Sequence, residues 1–414
     1  MSRILVYKTI DIFNQSNYDT MASTFAKKYK GFCPNFGNKL WYQGLISEIS
    51  TEDNDIFYYN STITVAEINS NYDMVIYPMA NIFSKEFSVG LPELTETIKR
   101  IKIPVYIISC GVQADSYDDL DEVVSAIGNV SKIFIKTVYN TGGDFALRGY
   151  FTAEFFKKLG FNDLNVVGCP SLFQLGEGLS IDKRTKEESG FKIAVNGKSE
   201  IAGPVLKEYK ALYYDQDNLF DIMYNSNLYN YKYSIKDNIR WLNSSGFGLY
   251  LTDLILQNRI RLIADMWDWQ HSLQSEGISF SFGTRIHGNI MAILSGIPSV
   301  IVNVDSRVQE MAEFYNIPNI DYKDARELVN QQNAIYTLYD KTDYSEFNKS
   351  FPEKYNGFKE FLNRCGIVKK LIPNNMFLNC SKGVYPKCAT PKAIERAKRI
   401  NKHKVFYSFL VDIK

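Results

Sequence analysis

The chain has 414 residues, of which 45% are apolar and 22% charged, and its formal net charge is +1. This length exceeds one small core and predicts two domains, and the composition is that of a soluble globular protein. The nearly balanced charge argues against a general nucleic-acid binder, and no apolar run reaches the roughly 18 residues of a membrane-spanning helix.

In chain order, residues 4–7 read as a short apolar first strand rather than a signal peptide. A polar loop ends in Asn35-Phe36-Gly37-Asn38, and residues 39–49 then carry helical periodicity. Strands are predicted at 74–77, 105–109, 132–136, 146–148 and 164–168, with helices at 91–101, 120–127 and 152–159 between them. Residues 174–190 are polar, without periodicity, and predict a linker. A second series follows, with strands at 192–195 and 211–214, no clear signal over 226–243, and a long helical region at 251–273. Next come a buried strand at 278–282, a turn at Gly283-Thr284, a helix at 285–294 and a stop at Gly296. A strand from Pro298 then leads through Asp305-Ser306-Arg307 into a helix at 308–315. Repeated strand–helix units predict parallel, doubly wound sheets. The expected division is an N-terminal Rossmann-like domain at 1–180, a second at 190–335, and a basic extension at 336–414.

The residues that carry chemistry stand where strands end. Arg285 and His287 open a helix after a buried strand, where unpaired N–H groups and the helix dipole favour an anion. Histidine is scarce (His271, His287 and His403), so His287 is the main candidate for proton transfer. Arg148 follows a short strand, and Gly111 and Gln113 follow the strand at 105–109. Asn35, Gly37 and Asn38 offer amides and a close backbone approach to sugar hydroxyls or phosphate. Asp305 can accept a proton from a hydroxyl, and Arg307 can bind an anion.

Each of these has a plainer alternative. His287 can cap or pack, Arg148 can form a structural salt bridge, and Ser306 and Glu310 can form a capping box with an Arg307–Glu310 pair. The chain has no GxGxxG and no GxxxxGK[ST], and Asp215-Gln216-Asp217 lies in a polar run. No metal and no cofactor is expected. The six cysteines form no CxxC pair, so free thiols in a reducing cytoplasm are expected.

One ordered set of segments resembles the polysaccharide pyruvyl transferase family. It comprises Asn35-Phe36-Gly37-Asn38, Ser109-Cys110-Gly111, Leu147-Arg148-Gly149 with Thr152-Ala153-Glu154, Gly168-Cys169-Pro170-Ser171 and Gly283-Thr284-Arg285-Ile286-His287-Gly288. Asp305-Ser306-Arg307 with Glu310-Met311 extends it. Asn38 stands where the family often carries Asp, as does Cys169, to which no chemistry is assigned. The resemblance implies a GT-B-like fold, two Rossmann-like domains facing across a cleft. It also implies an enzyme that moves the enolpyruvyl group of phosphoenolpyruvate, a co-substrate, onto two sugar hydroxyls, giving a pyruvate ketal and phosphate.

On this reading the donor side is Arg148, Gly283, Thr284, Arg285, His287 and Arg307, with Arg285 and His287 catalytic. The acceptor side is Asn35, Gly37, Asn38, Gly111, Gln113 and Asp305. The acceptor is a saccharide of a capsular or exopolysaccharide, or of a lipid-linked precursor. The rival readings are a GT-B glycosyltransferase using a nucleotide sugar and a non-catalytic sugar-binding module. From Arg364 onward 12 Lys and Arg face only Glu395 and Asp412, which suits peripheral contact with the anionic inner face of a membrane by a cytoplasmic protein. A solvated tail, or a helix packed on the first domain, explains the same charge.

Overall fold

The computed structural model describes residues 2–7, 37–183, 190–216, 219, 234–263, 266–367 and 391–411. Among these, two six-stranded parallel sheets form. The first comprises β1 (Ser2–Val6), β2 (Asn54–Tyr58), β3 (Met74–Pro78), β4 (Val105–Cys110), β5 (Phe145–Leu147) and β6 (Asn165–Val166), in the order β2-β1-β3-β4-β5-β6. Its central strands are short apolar runs buried along their whole length, as helices on both faces require. The helices are α1 (Gly37–Ile49), α2 (Val65–Asn71), α3 (Leu91–Ile98), α4 (Leu120–Asn140) and α5 (Tyr150–Lys158).

The second sheet comprises β7 (Ile193–Asn196), β8 (Leu212–Asp215), β9 (Ile260–Leu262), β10 (Phe280–Gly283), β11 (Ser299–Asn303) and β12 (Asn319–Asp321). Its order, β12-β11-β10-β7-β8-β9, reverses between β7 and β10. Such a reversal opens a crevice at the carboxyl ends of the two strands, where open α/β sheets bind ligands. Its helices are α6 (Ser199–Glu208), α7 (Ile235–Ser244), α8 (Tyr250–Leu256), α9 (Met266–Ser275), α10 (Ile286–Leu294), α11 (Ser306–Tyr315), α12 (Tyr322–Leu328) and α13 (Ala334–Lys341). The fold is therefore α/β with two doubly wound, Rossmann-like sheets, as expected.

Three local expectations are corrected. The predicted strand at 132–136 is the second half of α4, a single helix whose Val123, Ile127, Ser131, Phe134, Ile135 and Val138 bury one face at helical spacing. The predicted helix at 251–273 is α8, then the three-residue β9, then α9. Over 174–190, Pro170–Gly178 is a 3₁₀ helix and Leu179 and Ile181 are buried, with the Ile181 N–H donating to Asn348 Oδ1 at 2.8 Å. That stretch is packed as far as Ile181 because its few apolar residues reach the core.

One continuous apolar core joins the halves. Leu45, Ile46 and Ile49 of α1 share it with Ile290 and Ile293 of α10. After α13, helix α14 (Ser345–Arg364) returns toward the first sheet. Its Phe358 stacks on Phe173 with ring centroids 5.0 Å apart, and the Cys365 carbonyl accepts from Tyr106 Oη at 3.2 Å. Helices α15 (Pro391–Lys402) and α16 (Lys404–Val411) follow, with Ala393, Ala397, Ile400 and Tyr407 buried in the core of the second sheet. The described cysteines Cys110, Cys169 and Cys365 are free thiols.

Candidate active site

β10 and β7 end side by side, Gly283 pairing with Asn196. A Cβ on Gly283 would lie 2.2 Å from the Asn196 carbonyl oxygen, so only glycine allows the two strands to meet this closely. Asn196 Oδ1 accepts the Arg285 N–H at 2.9 Å, and its Nδ2 donates to Asn289 Oδ1 at 3.2 Å. Asn289, fully buried in α10, accepts from Ser281 and Ser299 hydroxyls at 2.9 Å each and donates to the Gly283 carbonyl at 2.9 Å. This network fixes the start of α10. Arg285 is its N-cap residue and His287 lies in its first turn, the helix starting at Ile286, one position later than expected.

Asn289→Ala removes the acceptor of three donors at once. Given about 1–3 kcal/mol for each buried polar group left unpaired, the expected loss is at least 3 kcal/mol. Urea unfolding at an unchanged m-value measures it.

His287 is buried and its Nε2 has no partner. Burial first, then the guanidinium groups of Arg148, Arg307 and Arg285, push its pKa down from 6.5 to about 3. The imidazole is thus neutral near pH 7 and surrounded by three cations. Arg148, at the end of β5, is also buried, and its Nε and Nη2 are unpartnered. Its Nη1 lies 3.4 Å from the Asn81 side-chain amide. Asn81 is best placed with its carbonyl toward Arg307 Nη1 at 2.6 Å and its NH₂ toward the Ala80 carbonyl at 2.8 Å. Arg307 donates to Asp305 Oδ2 at 2.5 Å, while its Nε is buried without a partner. Buried guanidinium N–H groups without acceptors are costly, and an anion with several oxygens satisfies them.

The sequence-derived residues separate into those at this cluster and those beside it. Gly37, at the start of α1, faces His287: a Cβ there would lie 2.9 Å from Nδ1. Gly111 adjoins Arg148 and Glu310, at 3.6 Å and 3.4 Å from such a Cβ. Asn38 follows Gly37 half-buried in α1, and the Gln113 N–H donates to the Phe83 carbonyl at 3.0 Å. Thr284 Oγ1 accepts the Lys198 N–H at 2.9 Å, a bond that closes the turn. Asp305 is the N-cap of α11, Oδ1 accepting from the Arg307 and Val308 N–H groups at 3.1 Å each, and its other oxygen holds Arg307. Asn35 lies outside the described residues.

The alternative of a capping box with an Arg307–Glu310 pair does not form. Ser306 Oγ accepts the Ala114 N–H at 2.9 Å across the interface. Glu310 accepts from the Thr152 N–H at 2.6 Å and the Thr152 hydroxyl at 2.9 Å. Burial raises its pKa to about 7, the two bonds from Thr152 and the Arg148 charge opposing the shift. A Cβ on Gly149 would lie 2.3 Å from Glu310 Cγ, so the glycine after Arg148 is what admits this carboxyl.

Sequence reasoning missed Asn81, Asn196 and Asn289, and it gave Thr152 no role. Asn289 had a readable signal, as a lone amide inside the apolar IHGNIMAIL helix. Asn196 precedes a glycine at a strand end, which is another. β4 is also irregular where it enters the site. Its register slips between Ile108 and Cys110, and Ser109 has φ +64. Such strain collects at functional sites.

A search of curated proteins finds no match. Two solved structures share the chain's outline at low similarity. A UDP-N-acetylglucosamine 2-epimerase is 12% identical, with a TM-score of 0.38 over 90% of this chain and 98% of its own. The S. aureus MnaA–UDP complex is 11% identical, with a TM-score of 0.40 over 90% of this chain and 99% of its own. Neither bears on the reaction. The sequence model of the polysaccharide pyruvyl transferase family, by contrast, matches residues 25–306. That span carries Arg148, His287, Arg285 and the two asparagines that hold the α10 start, and with more than half of the chain matched, the protein belongs to the polysaccharide pyruvyl transferase family.

Proposed function

We propose that this transferase uses phosphoenolpyruvate as donor and forms a cyclic pyruvate ketal on two hydroxyls of a saccharide, with Arg148, Arg285 and Arg307 binding the donor and His287 moving the proton. The observation that carries this reading is the set of unpartnered, buried guanidinium N–H groups around one neutral histidine. Phosphoenolpyruvate brings a phosphate and a carboxylate, and guanidinium forks bind both groups in two-bond fashion.

The depressed pKa shapes the chemistry. In the free protein His287 is neutral and lacks the acidic second proton of an imidazolium. Burial is the larger cause of the depression and persists in the complex, but the donor's negative charge offsets the three cations and draws the imidazole pKa upward, toward proton uptake as the anion arrives. His287 then protonates the methylene carbon of the donor, and a sugar hydroxyl attacks the oxocarbenium-like carbon beside it. The neutral imidazole takes that hydroxyl's proton. Phosphate leaves with the C–O bond electrons, a second hydroxyl closes the ring, and its proton goes to phosphate. The acceptor hydroxyls approach past Gly37, Asn38, Gly111 and Gln113 of the first half and Asp305 of the second.

The sign of the pH dependence follows. A group with a higher pKa in the complex than in the free protein makes binding tighter as pH falls. Thermal stabilisation by phosphoenolpyruvate therefore grows from pH 8 to pH 6.5, and His287→Ala flattens that trend. A melting shift produced by a nucleotide sugar, with none from phosphoenolpyruvate at any pH, would overturn the donor assignment.

A further inference from the structure

Helix α16 has apolar residues on two sides. Inward, Tyr407 is buried and its hydroxyl accepts from Asn238 Nδ2 at 2.7 Å. Outward, Val405, Phe406 and Phe409 are 74%, 49% and 72% exposed. Their spacing, i, i+1 and i+4, places them on one face. Lys404 is held beside this face by Asp253 at 2.9 Å. The preceding α15 turns Arg396 inward, its guanidinium 4.8 Å over the Trp241 ring and its Nε donating to Asn238 Oδ1 at 2.8 Å. Lys398 and Lys402 stay exposed, and Glu395 is the one acidic residue of the two helices. Ile235, at the start of the α7 helix that α16 packs against, is half-exposed as well.

We infer that α16 docks the protein on an anionic lipid bilayer, with Val405, Phe406 and Phe409 entering the boundary of headgroups and acyl chains and Lys398 and Lys402 facing lipid phosphates. An interfacial helix needs an apolar face with cations close by; Lys404 adjoins this face, and Lys398 and Lys402 are exposed on the helix that leads into it. Three apolar tips fall far short of the roughly 800 Å² per partner that a stable protein interface buries. The cations complement a negative leaflet. This inference does not depend on the donor chemistry. It narrows the basic C-terminal charge to a defined surface, the outer faces of α15 and α16.

The test is co-sedimentation of the full chain with vesicles of phosphatidylcholine alone and of phosphatidylcholine mixed equally with phosphatidylglycerol. Wild-type protein is expected to pellet with the mixed vesicles. The Phe406→Ser/Phe409→Ser and Lys398→Glu/Lys402→Glu variants are expected to bind about tenfold less, with unchanged melting temperatures, since all four side chains are exposed. Wild-type protein left in the supernatant, or variants that pellet equally well, would overturn the inference. So would a wild-type dimer that the phenylalanine variant dissociates without any vesicle binding, which would assign the face to a second copy.

Discussion

His287→Ala is expected to lower pyruvyl transfer by about a thousandfold while leaving the fold intact, since proton transfer by a positioned side chain contributes roughly 10²–10⁴ in rate. Among the described residues, the histidine is the one titratable group that the three arginines surround with an unpartnered nitrogen. Its loss leaves the donor's charge partners in place, so the dissociation constant of phosphoenolpyruvate is expected to change by less than about tenfold. The fall then appears in kcat rather than in KM. The neutral imidazole is not an ion-pair partner in the free protein, so the melting temperature is expected to hold. A folded His287→Ala protein with wild-type turnover would remove the histidine from the chemistry.

Arg148→Met gives the second large effect, and it separates function from stability. Arg148 is buried with two unpartnered nitrogens. A buried charge that lacks good partners costs stability, and an apolar side chain of similar length relieves the cost. The free variant is therefore expected to melt a few degrees higher, about 2–4 °C for each kcal/mol gained in a domain of this size. Its affinity for phosphoenolpyruvate should fall at least about a hundredfold, which corresponds to roughly 2.7 kcal/mol. If Arg148 were instead a structural salt bridge, the same substitution would lower the melting temperature and leave donor binding unchanged. Arg148→Lys refines the result: it keeps the charge but not the planar fork, and intermediate affinity is expected.

The arginine–histidine cluster was readable as a cluster because each member stands at or just beyond the end of a buried strand, and a doubly wound fold brings those strand ends together. Arg148 follows β5, Arg285 follows β10, and Arg307 lies just beyond β11. What was not readable depends on contacts distant in sequence. Thr152 meets Glu310 across 158 positions, and Arg285 meets Asn196 across 89. No local pattern encodes either pair. Asp305 looked like a free carboxylate because it follows a strand, yet its two oxygens are engaged by the helix it caps and by Arg307. The remaining errors concern period. The SKIFIK stretch of α4 alternates over too few residues to distinguish a strand from a buried helix face, and the three-residue β9 is too short to interrupt an apolar pattern. The linker expectation fails over 174–181 for a different reason: a polar composition does not reveal that Leu179 and Ile181 reach the core, while residues 184–189 lie outside the described ones.

The most direct test of the arginine-bound donor is isothermal titration of phosphoenolpyruvate into the wild-type chain and into Arg148→Met near neutral pH. Saturable one-to-one binding by wild type, with heats that vary between buffers as a proton is taken up, and no binding by the variant are the predicted results. A folded wild-type protein that fails to bind, or a variant that binds equally well, would contradict it.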